Sequence, residues 1–193
     1  LVSNKNSRVI LPNILTLVGV CIGLTSIKFA FDGKFELSVI AVIIAGVIDG
    51  LDGRIARLIK GTSKVGKELD SLTDVISFGV APGIIMYFWA LNEVGKFGWM
   101  FVLIYTVCCA LRLARFNLTS VEENELWKIN FFEGVPSPAA AGLVLLPLIL
   151  SLSGIIQFEN SAILSSAAIL VTSFLMVSKI PTCLLYTSDA ADE

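Results

Sequence analysis

Long apolar runs alternate with short polar breaks along this chain. The runs cover about residues 12–31, 37–58, 69–91, 97–116, 136–156 and 161–177. Each approaches the roughly 20 residues that an α-helix needs to cross a bilayer. The breaks have turn or loop composition: Asp32-Gly33-Lys34, a basic connection containing Gly and Ser before Glu68, and a polar loop over 119–134. Pro12 suits the first turn of a helix, and Pro136-Ser137-Pro138 opens another. The pattern predicts an all-α fold, a polytopic membrane bundle with six core transmembrane helices over residues 1–182. Residues 1–11 read as the remnant of a helix lying on the membrane surface. No internal repeat is evident. The basic start leads into full-length spans, so no cleavable signal peptide is expected.

Composition supports this reading. The chain is 55% hydrophobic and 16% charged, with mean hydropathy +0.85, whereas a soluble domain carries about a quarter charged residues. The last eleven residues, Cys183-Leu-Leu-Tyr-Thr-Ser-Asp-Ala-Ala-Asp-Glu193, read like the translation of a transposase-type sequencing adapter. They are expected to be foreign, and the chain, which starts at Leu1, is expected to be a fragment open at both ends. Without that tail the chain has 14 basic and 13 acidic residues, net +1 rather than −2. Cys21, Cys108 and Cys109 lack metal-ligand spacing and are expected to be buried free thiols.

The basic residues are unevenly placed. With the N-terminus in the cytoplasm, one side holds Lys5, Arg8, Arg54, Arg57, Lys60, Lys64, Lys67, Arg112, Arg115, Lys128 and Lys179, and the other holds Lys34 and Lys96. Positive charge marks the cytoplasmic side. An integral membrane protein of the cell membrane is therefore expected, with membrane lipids around it and no nucleic-acid partner.

Against this background four aspartates stand out: Asp49, Asp52, Asp70 and Asp74. Asp49 and Asp52 are i and i+3, and Asp70 and Asp74 are i and i+4, so each pair shares a helix face. On antiparallel helices Asp52 matches Asp70 in height and Asp49 matches Asp74. Asp49 lies about 18 Å into a core roughly 30 Å thick. A lone carboxylate there costs at least about 2.5 kcal/mol, so something cationic must compensate. Hard divalent ions take oxygen ligands and can share bridging carboxylates. Gly53 and Ala56 leave an open face beside the acids, and Arg57 can pair with phosphate. The structural alternative pairs the acids with Arg54 and Arg57 and uses the glycines for close packing, but two bases cannot neutralise four acids.

The run Asp49-Gly-Leu-Asp52-Gly53-Arg-Ile-Ala56-Arg57, then Gly66, Asp70 and Asp74, resembles the signature of the CDP-alcohol phosphatidyltransferases. The resemblance implies six core helices, a homodimer, two divalent ions (Mg²⁺ or Mn²⁺), and transfer of a phosphatidyl group from a CDP-linked lipid to an alcohol with release of CMP. It implies Asp49, Asp52, Asp70 and Asp74 as metal ligands, with Asp74 also the general base. It places Asn13, Thr16, Asp52, Gly53, Ala56, Arg57 and Gly66 around the CDP.

Pro12-Asn13-Ile-Leu-Thr16, Ser77-Phe-Gly-Val-Ala-Pro-Gly83, Ala110-Leu-Arg-Leu-Ala-Arg-Phe-Asn117, Phe132-Glu-Gly-Val-Pro-Ser-Pro-Ala-Ala-Ala141 and Met176-Val-Ser-Lys-Ile-Pro181 are similar to the phosphatidylserine synthase branch. That branch implies CDP-diacylglycerol and L-serine as substrates. Arg112 and Arg115, i and i+3 at the end of a span, are candidates for the acceptor carboxylate or lipid phosphate, unless they simply anchor the helix at headgroups. Asn117 can hydrogen-bond either ligand. Ser137 is expected to cap the fifth helix, with a substrate role as the alternative. Glycerol 3-phosphate or inositol phosphate as acceptor, a polyprenyl transferase, and a divalent-cation transporter are the competing readings.

Overall fold

The computed structural model describes residues 3–58, 64–119, 131–154, 160–178 and 181–183. Helix α1 (Ser3–Phe31) turns through Gly33 (φ 72°) into α2 (Phe35–Leu58). Lys28 Nζ lies 2.7 Å from Asp32 Oδ2 at this turn, and the hydrogen bond holds the Asp32 carboxyl below its ordinary range. The third helical run is composite. It comprises α3 (Lys64–Asp74), a π-helical segment (Val75–Val80) and α4 (Ala81–Trp89). A short 3₁₀ turn, Leu91–Val94, leads to α5 (Lys96–Thr119). Then come α6 (Ser137–Leu152) and α7 (Ser161–Val177). Strands β1 (Phe131–Glu133) and β2 (Pro181–Cys183) pair antiparallel, Phe132 opposite Thr182. The six helical runs agree with the six predicted spans.

Three stretches, Pro12–Phe31, Val65–Trp89 and Lys96–Asn117, are long and apolar enough to cross a membrane. Helix α2 is as long but carries Glu36, Asp49, Asp52 and Arg54. Helices α6 and α7 are shorter, at 16 and 17 residues. Large apolar side chains face outward along the spans, among them Ile14, Ile43, Val47, Leu103 and Phe174. Such a surface suits lipid rather than water, and the chain is an integral membrane protein.

Some expectations are corrected. Pro12 lies inside α1, not in its first turn; its missing N–H costs one helical bond without ending the helix. The fifth span stops at Leu152 rather than near 156, because Gly154 takes a left-handed conformation (φ 71°) just beyond the helix end. Cys21 is exposed and Cys108 half-buried; of the three thiols expected to be buried, Cys109 alone is. The tail 184–193 lies outside the described residues.

The π-helical segment has a local cause. Pro82 has no N–H, so Phe78 loses its α-helical donor. The Tyr105 hydroxyl donates to the Phe78 carbonyl instead, at 2.8 Å, with both side chains fully buried. The Ala81 N–H reaches back to the Ile76 carbonyl, five residues away. This segment is the centre of the bundle: α1, α2, α3, α5 and α6 all pack on it. Helix α2 packs chiefly on α1 and also meets the π segment and α4, but among the described residues α2 and α3 make little backbone contact with each other. The two acid-bearing segments thus part towards their connection, and α1 packs on both.

Candidate active site

The four aspartates line the space where α2 and α3 part. Carboxylate oxygens of Asp49, Asp52 and Asp70 all lie within 4.8 Å of one another. The Asp74 carboxylate lies next to that of Asp49. The heights therefore match as the helical spacing predicts, Asp49 with Asp74 and Asp52 beside Asp70. Helix α1 supplies the third side. The Thr16 hydroxyl lies 2.7 Å from Asp52 Oδ2 and 3.0 Å from the Pro12 carbonyl. It has one proton to share, and the shorter contact is the charge-assisted one. Thr16 and Asp52 are both buried.

These residues fit a divalent cation. Carboxylates are acceptors without donors of their own, and three are crowded within reach of one ion. One oxygen each of Asp49 and Asp74 is buried with no hydrogen-bond partner among the described residues. Orphaned buried oxygens of this kind are what an oxygen-loving cation satisfies.

The remaining predicted residues separate into those near the acids and those that brace the bundle. Gly53 is half-buried, and an added Cβ would meet nothing within 4 Å. It thus keeps a face open beside Asp52. Gly66 and Asn13 are half-buried, one helical turn from Asp70 and Thr16 respectively. The side chains of Ala56 and Arg57 lie outside those described, although both residues continue α2. Arg112 turns inward: it is 9% exposed and interacts electrostatically with Asp74. Arg115 instead donates from Nη1 to the Val177 carbonyl at 3.0 Å, meeting the C-terminal end of α7. Asn117 Nδ2 donates to Ser71 Oγ at 2.9 Å, tying α5 to α3 one residue beyond Asp70.

Ser137 is not a helix cap. The N-cap of α6 is Pro136 and no side-chain cap bond forms there. The Ser137 hydroxyl accepts from Arg112 Nη1 at 2.6 Å in a fully buried position. A buried guanidinium requires partners more than a helix end at Pro136 requires a cap. Ser71 and Cys109 were missed as parts of this region. Ser71 is adjacent to Asp70 but off its face, and Cys109 reads from sequence as another apolar position. The one available signal is that Cys109 and Arg112 are i and i+3 on one face.

Comparison with known proteins agrees with this geometry. The family model for CDP-alcohol phosphatidyltransferase matches residues 9–185. A CDP-diacylglycerol–serine O-phosphatidyltransferase of Mycobacterium leprae is 38% identical over 179 residues, covering 92% of this chain and 59% of the relative. The enzyme of the same name from Helicobacter pylori (strain ATCC 700392 / 26695) is 38% identical over 175 residues, 91% of this chain and 72% of the relative. That of Bacillus subtilis is 32% identical over 170 residues, 88% of each. The chain thus spans about three fifths of the length of the mycobacterial relative. The match over most of the chain, together with an acid cluster suited to divalent metal, identifies it as a member of the CDP-alcohol phosphatidyltransferase family.

Proposed function

We propose that this chain transfers the phosphatidyl group of CDP-diacylglycerol to L-serine, forming phosphatidylserine and releasing CMP. The observation that carries the chemistry is the convergence of Asp49, Asp52 and Asp70 beside Asp74 in a cleft between parting helices. The shared name of the relatives carries the acceptor. The four aspartates would hold two divalent ions, Mg²⁺ or Mn²⁺. When bound, such ions neutralise charge on the diphosphate and on the leaving group.

The chain's own residues do the rest. Asn13, Thr16, Gly53, Ala56, Arg57 and Gly66 line the nucleotide side, where Gly53 leaves room for the diphosphate. Asp74 takes the proton of the serine hydroxyl as its oxygen attacks the lipid-side phosphorus. The phosphorus–oxygen bond to CMP breaks, and CMP keeps the electron pair. Arg112, buried within electrostatic reach of Asp74, receives the serine carboxylate. Positioning of donor and acceptor in one water-poor cleft supplies much of the acceleration. The cleft and the N-terminus face the cytoplasm, as the distribution of basic residues indicates, and the working unit is a homodimer.

The test is CMP release by purified protein given CDP-diacylglycerol and a panel of acceptors. Serine should support release, and glycerol 3-phosphate and inositol phosphate should not. Chelation of divalent cations should stop the reaction, and returning Mg²⁺ or Mn²⁺ should restore it. Metal-independent release, or no release with serine, would overturn this reading.

A further inference from the structure

Within electrostatic reach of Asp74, one buried cation is backed by neutral groups. Arg112 donates to Ser137 Oγ at 2.6 Å. Ser137 is 0% exposed, and its hydroxyl lies close to the Cys109 thiol. Accepting from Arg112 leaves the serine O–H able to turn towards the sulfur. Cys109 is fully buried against the π segment, where a Cβ on Gly79 would come within 3.1 Å of the thiol sulfur. Pro136 and Pro138 flank Ser137 and stiffen its backbone at the start of α6. Each link in this chain is held by the one behind it.

The other end of the chain is unfinished. Arg112 Nε is buried and has no hydrogen-bond partner among the described residues. A guanidinium kept for packing alone would have its buried N–H satisfied. A donor left over within electrostatic reach of Asp74 suits an anionic oxygen brought in by a substrate. The neutral Ser137 hydroxyl directs the guanidinium without cancelling its charge, which an acidic residue in its place would do.

We propose that Ser137, backed by Cys109, is a positioning residue that aims Arg112 at the carboxylate of the acceptor. The inference rests on the serine-transfer reading above and adds the device that orients its acceptor site.

The test uses the full chain in lipid nanodiscs, with serine and CDP-diacylglycerol varied separately. Ser137→Ala should raise the serine KM about tenfold, the scale of one lost hydrogen bond to a charged group. The CDP-diacylglycerol KM and kcat should stay within about twofold of the parent, since their contacts lie elsewhere. Ser137→Thr, which keeps the hydroxyl, should restore most of the serine KM. Cys109→Ala should shift the serine KM in the same direction by about threefold, as a weak second-tier hydrogen bond would. An unchanged serine KM in Ser137→Ala, or an equal rise in both KM values, overturns the proposal. If Ser137→Ala does not fold, Cys109→Ala decides, and an unchanged serine KM there overturns it. Failure of the underlying reading shows separately, in the unsubstituted protein, as CMP release with another alcohol but not with serine.

Discussion

The composite third run meets its neighbours in two different ways along its length. At the level of the π segment and α4 it is packed against α1 and α5, and small residues are there because nothing larger fits. A Cβ on Gly23 would lie 2.5 Å from Ser77 Oγ and 3.3 Å from its Cα, and one on Gly83 would lie 3.1 Å from a Val102 methyl. At the level of α3 it faces α2 across the aspartates, and there a glycine leaves space instead. Added Cβ atoms on Gly50 and Gly53 would meet nothing within 4 Å. The packed level is built from Phe78, Ile85, Met86 and Tyr105, all 2% exposed or less. The open level is built from carboxylates with unsatisfied oxygens. One residue type therefore has two meanings around this run, close packing at Gly23 and Gly83 and open space beside an acid at Gly53.

The sharpest way to break this comparison is to remove an acid. Asp74→Asn should lower CMP release roughly a thousandfold, by loss of the base and of one carboxylate oxygen. Its thermal midpoint should hold or rise, because four crowded carboxylates become three. A fall in stability with retained activity would mean that the acids support the fold.

The two glycine regions should respond with opposite signs to one substitution. Gly23→Ala forces its methyl against Ser77 and should destabilise by about 1–3 kcal/mol, as overpacking does. Gly53→Ala should gain about 0.5–1 kcal/mol of helix stability in a melting experiment. It should nevertheless raise the KM for CDP-diacylglycerol roughly tenfold, by displacing the donor within the cleft. Equal melting behaviour of the two variants would remove the distinction.

The smallest effect is expected at Arg115. Arg115→Ala gives up the bond to the Val177 carbonyl and should cost about 1 kcal/mol of stability, with the serine KM unchanged. A tenfold rise in serine KM there, comparable with that expected around Arg112, would move the acceptor site to the end of α5.

Much of this molecule follows from the chain alone. Apolar runs of membrane length locate the six helices, because a bilayer admits few other backbone solutions. Helical periodicity puts Asp49 with Asp52 and Asp70 with Asp74 on single faces, and the antiparallel connection matches their heights. These are properties of one helix or of one helix pair, and spacing determines them.

What spacing leaves open is how each helix is rotated and what the third neighbour contributes. Arg112 and Arg115 look equivalent from sequence, yet one is buried within electrostatic reach of Asp74 and the other meets α7. Ser137 looks like a cap and is a partner of Arg112. The π segment needs Pro82 on its own helix and Tyr105 on another. Composition and spacing are enough for the helices, the quartet of acids and the family. Which cation turns towards those acids, and what holds it there, follows from packing among α1, α5, α6 and the π segment, which no local spacing encodes.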